Sequence, residues 1–473
     1  MKSILTLTYT KSWILVLVTG FFAFLFHVQN PVVREWDEAT YGINAYEMSQ
    51  SNNPIVVTFN HQSDVYNSKP PFGVWLMSLS TKIFGVNTFS LRFPSALLAY
   101  LFSCFLFYFI YKEFKNLEWA LFASLILIGS IGFTGWHEAR SGDFDAMVAV
   151  FMALAILYFS KAILLHEPQR LLLFFLFLTL ACLTKGVYGL IILPGLFLFT
   201  SSQKQLKWSV SQWQLYIGFV AFLISFMGYY FLRERMSPGY FKAVLENEVG
   251  ERVFLETNIH KTEIPFYYHT VKLLVYRFQP FILLLPFFAV KFWFEPSTHE
   301  KRFLTAIVLS AASIWCVISF SKTKLVWYDG SLYPLLAICL GWFISVQSQK
   351  LRAYATPALL LIATFVFYLN YTEKDSFEFP HFLKELRTQK QVIEPLKVYS
   401  TKFEHPIRYY LLQDSLACYK SSYTNDIKSL NVGDWLIVNL EEQPISKFDS
   451  IFEVNPIFDK GKYVLLVLEE KPN

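Results

Sequence analysis

The chain has 473 residues, of which 54% are hydrophobic, 19% aromatic and 16% charged, with a formal net charge of +5. Soluble domains carry about 25% charged residues, and 49 Phe with 27 Tyr exceed what one soluble core of this length buries. A mean hydropathy of +0.37 therefore excludes a disordered chain, a disulfide scaffold and an ordinary cytosolic enzyme, and leaves a polytopic α-helical membrane protein.

The charge is unevenly spread. From residue 371 on, 29 of 103 residues are charged, against 48 of the first 370. This predicts a membrane body over 1–370 and a soluble domain over 371–473. Cys104, Cys182, Cys316 and Cys339 lie in apolar runs, Cys418 stands apart, and no CxxC occurs; all five read as small fillers. No run of five basic residues exists, so the small positive charge belongs to loop topology and not to nucleic acid.

In chain order, Lys2 and Lys11 precede an apolar stretch from Trp13 to Val28 with no A-x-A-like cleavage site. It reads as a retained first helix with its basic end in the cytoplasm. A span needs about 20 apolar residues. Eleven fall near 12–29, 95–111, 118–135, 144–161, 170–184, 186–203, 212–231, 271–290, 303–320, 326–346 and 354–370. The fifth is short, and with the sixth it could form one interrupted hairpin turned at Lys185–Gly186. With the N-terminus inside, each inside loop is basic: Lys112 and Lys115, Lys161 and Arg170, Lys204 and Lys207, Lys291 with Lys301 and Arg302, and Lys350 with Arg352. This is the asymmetry of the positive-inside rule, and an odd count puts the C-terminal domain outside.

The outside segments 30–94 and 232–270, with short turns at 136–143, 185 and 321–325, hold most of the chemically suggestive residues. Glu35, Asp37 and Glu38 stand where the chain leaves the first span. Ile43, Tyr46 and Met48 follow at helical spacing, as in an amphipathic helix on the membrane surface. By spacing alone the acids equally fit a solvated helix N-terminus. Lys69 is presented by a rigid Pro70-Pro71 turn before an aromatic-rich helix; beside Trp75 it also fits an interfacial anchor. In the C-terminal domain, strand-like runs at Leu396–Ser400, Trp435–Leu440 and Tyr463–Leu468, with a helical pattern over Phe382–Ile393, predict a small α/β fold.

Asp37-Glu38 followed by Tyr41, then Lys69-Pro70-Pro71, then Gly85 and Arg92-Phe93-Pro94-Ser95 resemble the first outer loop of the protein mannosyltransferase and lipid A aminoarabinose transferase group of GT-C-type glycosyltransferases. The resemblance continues in order through Arg140-Ser141-Gly142-Asp143-Phe144-Asp145, Thr184-Lys185-Gly186, Glu246, Arg252, His260 with Pro265-Phe266-Tyr267-Tyr268, and Lys324-Leu325-Val326-Trp327-Tyr328. It covers about residues 10–345. Two positions depart from the aminoarabinose transferases, which have an acid where this chain has Ser68 and Arg where it has Thr40.

The resemblance implies a GT-C fold with outer-face amphipathic helices. It implies a membrane enzyme moving a sugar from a polyprenyl (undecaprenyl) phosphate donor to a lipid, glycan or protein acceptor by inverting displacement, on the periplasmic face of a bacterial inner membrane. Such chemistry needs a base for the acceptor hydroxyl and cations for the departing phosphate. The implied catalytic residues are Asp37 and Glu38. Lys69, Arg140, Lys185 and Lys324 are the candidates for the donor phosphate, and Tyr41, Asp143, Asp145, Arg252 and Tyr328 for sugar or acceptor. No cofactor is expected, the cations taking the place of a metal; Glu246, Glu248 and His260 are the candidates should a divalent ion bind. The competing reading is a transporter or flippase of lipid-linked sugars. It is disfavoured because no repeat is evident and the charges sit at span ends and not at mid-bilayer.

Overall fold

A computed structural model describes residues 8–33, 36–65, 67–246, 248, 250, 275–321, 324–372, 377–388, 395–402 and 404–471. Helices occupy the apolar runs, as they must where no water is present to pair backbone groups. Among the described residues six helical segments are long and apolar enough to cross a membrane: Thr88–Phe114, Asp145–Leu165, Gln169–Ser202, Trp213–Met236, His299–Phe320 and Gln349–Tyr371. Shorter apolar helices fill the other runs: Tyr9–Leu25, Leu117–Ile128, Phe281–Phe294 and Tyr333–Ser345.

Several boundaries have a local cause. The helix Thr88–Phe114 starts seven residues before its apolar run because Asn87 and Ser90 form a capping box: the Asn87 side chain accepts from Ser90 N at 2.9 Å and Ser90 Oγ accepts from Asn87 N at 3.2 Å. This satisfies two of the otherwise orphan donors of the first turn. The segment Gln169–Ser202 is a hairpin and not one rod. Gly186 has φ +61°, a conformation that L side chains resist, and Gly189 returns so close that a Cβ there would lie 3.0 Å from Cys182 N. Seven residues along a straight helix would separate these backbones by about 10 Å. The turn leaves Lys185 at the helix end.

Between the first two apolar helices the chain builds α1 (Trp36–Gln50), a short antiparallel hairpin, β1 (Thr58–Phe59) with β2 (Gln62–Ser63), and α2 (Phe72–Phe84). Arg233, from the helix Trp213–Met236 and fully buried, donates to the carbonyls of Ile55, Val57 and Asp64 at 2.9–3.1 Å. These carbonyls lie between α1 and α2, so one guanidinium holds the approach to Lys69.

Residues from Phe377 on form a mixed five-stranded sheet. β3 (Leu396–Tyr399) lies between β4 (Ser421–Thr424) and β5 (Trp435–Asn439), parallel to both. β7 (Tyr463–Glu469) pairs antiparallel with β5 and with the edge strand β6 (Glu453–Lys460). Helices α3 (Phe379–Thr388) and α4 (Glu404–Leu416) complete the α/β domain. The sequence pattern identifies β3, β5 and β7 but neither edge strand nor α4.

Helix α4 covers α1, so the side of α1 away from the apolar helices is enclosed as well. Ten of the eleven residues from Glu38 to Met48 are buried, Tyr46 being the exception. Gly42 faces Tyr409 so closely that an added Cβ would lie 2.5 Å from its ring, and Tyr410 OH accepts from Val33 N at 2.7 Å. Gly42→Val should therefore push α4 away. The expected loss is about 1–3 kcal/mol, read as a lower melting temperature and faster proteolytic release of a fragment beginning after Tyr371. Unchanged melting and proteolysis would contradict this packing.

Candidate active site

The site rests on one buried ion pair. Arg92 binds Glu38 through both carboxylate oxygens, Nε to Oε1 at 2.6 Å and Nη2 to Oε2 at 2.8 Å. Arg92 Nη1 donates to the carbonyls of Val28 and Pro31 at 3.2 and 2.7 Å. Glu38 Oε1 also accepts from Gly142 N at 2.7 Å. The bidentate geometry fixes direction as well as charge. It ties together the end of the first apolar helix, α1, the helix Thr88–Phe114 and the 136–144 segment.

With Glu38 so committed, the adjacent Asp37 is the carboxylate that faces open space. Its side chain is 43% exposed and its Oδ2 lies 3.9 Å from Lys69 Nζ. Lys69 hydrogen-bonds Tyr41 OH and stands 4.8 Å from the centroid of the Tyr41 ring, a cation–π contact. Tyr41 stacks on Phe144 at 4.2 Å. Asp37, Tyr41 and Lys69, with Trp36, Thr40, Phe59, Asp64, Asn67, Ser68 and His405, line a polar cavity of 360 Å³.

Beside it runs the 136–145 segment. His137 Nδ1 lies 2.8 Å from Asp143 Oδ2, and the imidazole stacks on Trp327 at 3.7 Å. Burial works against ionisation of both. The charge and hydrogen bond of His137, with the Ser141 hydroxyl and the charge of Lys69, nevertheless lower the Asp143 carboxyl to about 2, and Asp143 in turn raises His137. Asp143 does not cap the following helix, which begins at Asp145 behind Phe144. Burial pushes the Glu138 carboxyl well above its ordinary value, against the pull of Arg277. Arg277 reaches Glu138 at 3.1 Å and Asp329 at 2.6 Å.

A second cavity, of 350 Å³, is lined largely by apolar side chains, among them Val187, Ile191, Val317, Ile318 and Phe320. Lys185 forms part of its wall. Its ammonium pairs with Asp145 and lies over the rings of Tyr188 and Tyr328 at 5.1 and 5.3 Å. The two cavities meet where Ser68 Oγ, of the polar one, donates to Glu248 Oε1, of the apolar one, at 2.6 Å.

The structure thus gathers Asp37, Tyr41 and Lys69 in one cavity and Lys185, Tyr328 and Glu248 in the next, with Asp143 and Asp145 held by His137 and Lys185. Glu38 and Arg140 are engaged otherwise. Arg140 donates to the carbonyls of Ala23, Phe26 and His27 at 2.8–3.1 Å and, with Glu38 and Arg92, lines a small separate cavity. Burial lowers the Lys324 ammonium, and no ion pair to it occurs among the described residues. Glu246 is 3.8 Å from Lys242. Arg252 and His260 lie outside the described residues. Among the described residues no group of three or more His, Cys, Asp or Glu could hold a metal. Sequence reasoning missed His137, Glu138, Arg233, Arg277 and His405. His137 and Glu138 stand three and two residues before Arg140, where their neighbours drew attention; the other three carry no local signal.

This geometry belongs to a multi-pass membrane protein in which helices and interhelical segments frame two adjoining cavities. The chain superposes on the crystal structure of ArnT from Cupriavidus metallidurans bound to undecaprenyl phosphate with a TM-score of 0.74, at 14% identity and 97% coverage of both chains. The fold is therefore GT-C. A family model described as dolichyl-phosphate-mannose-protein mannosyltransferase matches residues 68–230. An Aquifex aeolicus protein is 26% identical over 352 residues, 72% of this chain and 65% of that one. The undecaprenyl phosphate-α-4-amino-4-deoxy-L-arabinose arabinosyl transferase of Shewanella sediminis is 27% identical over 373 residues, 74% of this chain and 63% of that one. The chain thus spans a little under two thirds of these two relatives. It shares the GT-C fold, and over residues 68–230 it is similar to the mannosyltransferase family model.

Two expectations follow from the geometry. Arg92→Met leaves the Glu38 carboxylate buried without its partner, a change that costs about 3–5 kcal/mol. Thermal unfolding in detergent should show a clear drop, and unchanged melting would remove this pair as the anchor. The His137–Asp143 pair also sets a pH dependence. The raised His137 contributes stability in full below its unfolded value of about 6.5, and this is lost as pH climbs through the folded value. Asp143, depressed to about 2, contributes above its unfolded value of about 3.9, and this is lost on acidification towards 2. The melting advantage of wild type over Asp143→Asn should therefore be greatest between about pH 4 and 6.5 and should shrink on either side. A difference independent of pH would contradict the pairing.

Proposed function

We propose that this protein transfers a sugar from a polyprenyl phosphate donor to a lipid, glycan or protein acceptor, on the outer (periplasmic) face of a bacterial inner membrane. The observation that carries the reading is the pair of adjoining cavities. One is apolar with a buried lysine in its wall, suited to a prenyl chain ending in a phosphate. The other is polar with an exposed carboxylate beside a lysine, suited to a hydroxyl acceptor. The relatives named as transferases of an undecaprenyl-phosphate-linked sugar support the donor class.

In this reading Asp37 takes the proton from the acceptor hydroxyl as its oxygen attacks the anomeric carbon. The bond from that carbon to the phosphate oxygen breaks on the opposite side, inverting configuration. The electron pair leaves on polyprenyl phosphate, whose growing charge Lys69 and Lys185 stabilise. Tyr188 and Tyr328 keep the Lys185 ammonium in an aromatic setting, where a phosphate gains more from it than in water. Lys324 is the remaining cation of this set. Tyr41, Asp143 and Asp145 shape the sugar and acceptor space, with Arg252 as a further candidate. Glu38 supports the base by fixing α1. The reaction draws on charged side chains and calls on no cofactor; a divalent ion, if used, would fall to Glu246, Glu248 or His260.

Mass spectrometry of envelope lipids and glycans with and without the gene should reveal one sugar modification that disappears with it. Asp37→Asn should abolish that modification while the protein still accumulates and melts normally; full activity in this variant removes Asp37 as the base. Lys69→Ala and Lys185→Ala should each lower transfer by about 100-fold or more. Accumulation of donor on one face without any new glycosidic product would indicate a flippase. A cysteine placed at Ser421 should react with an impermeant reagent from outside; reaction only from the cytoplasm would reverse the topology.

A further inference from the structure

One wall of the polar cavity comes from neither the apolar helices nor the segment between the first two of them. His405, in the first turn of α4, enters from the C-terminal α/β domain. Its ring packs between two others: Trp36 at 3.5 Å between centroids and Phe59 at 4.6 Å. Trp36 remains 54% exposed, so an indole face is still available at the cavity rim. His405 Nδ1 lies 2.6 Å from Thr40 Oγ1.

The direction of that hydrogen bond can be deduced. A threonine hydroxyl has a single proton, and that of Thr40 is given to the carbonyl of Trp36 at 2.7 Å. Thr40 Oγ1 must therefore accept, and His405 Nδ1 must carry the hydrogen. Burial lowers the imidazole to about 4, against the raising effect of Glu404 and Asp37 and together with the charge of Arg408. The ring is thus neutral at ordinary pH, and a neutral ring protonated at Nδ1 has a lone pair at Nε2. No other hydrogen bond to this ring occurs among the described residues.

We infer that His405 is an acceptor-binding residue supplied by the C-terminal domain, its Nε2 receiving a hydroxyl of a sugar headgroup that lies against Trp36. The chemistry of the wall favours a sugar over a peptide. Asp37, Asp64 and His405 Nε2 are hydrogen-bond acceptors, Asn67 offers both an acceptor and donors, and the open aromatic face suits the apolar face of a sugar ring. A peptide strand would instead need a row of unpaired backbone groups. This inference rests on the proposed transfer reaction, and it gives the C-terminal domain a part in choosing the acceptor.

The test uses the full-length protein in nanodiscs with two probes measured separately: undecaprenyl phosphate, and a lipid carrying a diglucosamine headgroup. His405→Phe keeps the ring stack and loses both nitrogens. His405→Asn keeps an amide donor near Thr40 and loses the group at the Nε2 position. His405→Gln can restore an acceptor there. Both Phe and Asn variants should weaken binding of the diglucosamine lipid by about tenfold, the worth of one hydrogen bond in a partly dry site, with undecaprenyl phosphate affinity unchanged. His405→Gln should recover most of the loss. Unchanged diglucosamine affinity in His405→Phe would overturn the inference. So would an equal loss for both probes, which marks a folding role, or binding of a serine-containing peptide in preference to the sugar lipid by the wild type. Failure of the wild type to bind undecaprenyl phosphate, with the His405 pattern intact, would instead count against the proposed donor.

Discussion

The Arg92–Glu38 pair is the constraint on which the rest of the site depends. Two charges removed from water are costly unless every lone pair and proton is matched. Here the matching draws in Val28, Pro31 and Gly142 in addition to the two side chains. Stretches of chain around residues 28–38, 92 and 142, distant in sequence, must therefore come together at one point. Asp37 and Lys69 are positioned as a consequence. Asp37 is the next residue along a helix whose orientation Glu38 fixes, and Lys69 sits on a rigid diproline turn whose approach Arg233 secures through three carbonyls.

The assignment of charges to tasks follows from burial. Three carboxylates stand near the site, Asp143 and Asp145 from one segment and Asp37 from another, and each has a different neighbour. Asp143 faces an imidazole, Asp145 faces Lys185, and Asp37 faces both Lys69 and open space. Only the last combines access with a cation close enough to stabilise a leaving anion. Arg140 illustrates the converse. Its five donors suit a phosphate, yet three backbone carbonyls at the end of the first apolar helix engage it, and it becomes part of the scaffold.

Much of this was legible in the sequence. Apolar runs predict helices because the bilayer leaves the backbone no other partner, and the helices fall where those runs fall. The interruption at Lys185–Gly186 was visible as a short run followed by glycine. Asp37, Lys69 and Lys185 could be placed near one another through an ordered resemblance. The division of labour between Asp37 and Glu38 could not, because adjacent acids look alike until one of them finds Arg92, 54 residues away. His405 was hidden for the same reason at greater range: its partner Thr40 is 365 residues distant. The edge strands β4 and β6 escaped notice because they are polar and largely uncovered, so they lack the continuous apolar run that marks β7. The membrane-surface helix read from Ile43, Tyr46 and Met48 is a helix, but α4 lies over it.

The close return of Gly189 onto Cys182 has a consequence for how such a protein can diversify. That contact sets where the Lys185 ammonium stands, and it lies wholly within one hairpin, remote in sequence from α1 and from α4. The wall made by Trp36, Phe59 and His405 can therefore be redrawn by substitution without disturbing the cation, and the hairpin can be retuned without disturbing the wall. The two cavities of one chain become separately adjustable. The departure at Thr40 falls on the wall, the half of the site where such drift leaves the buried lysine untouched.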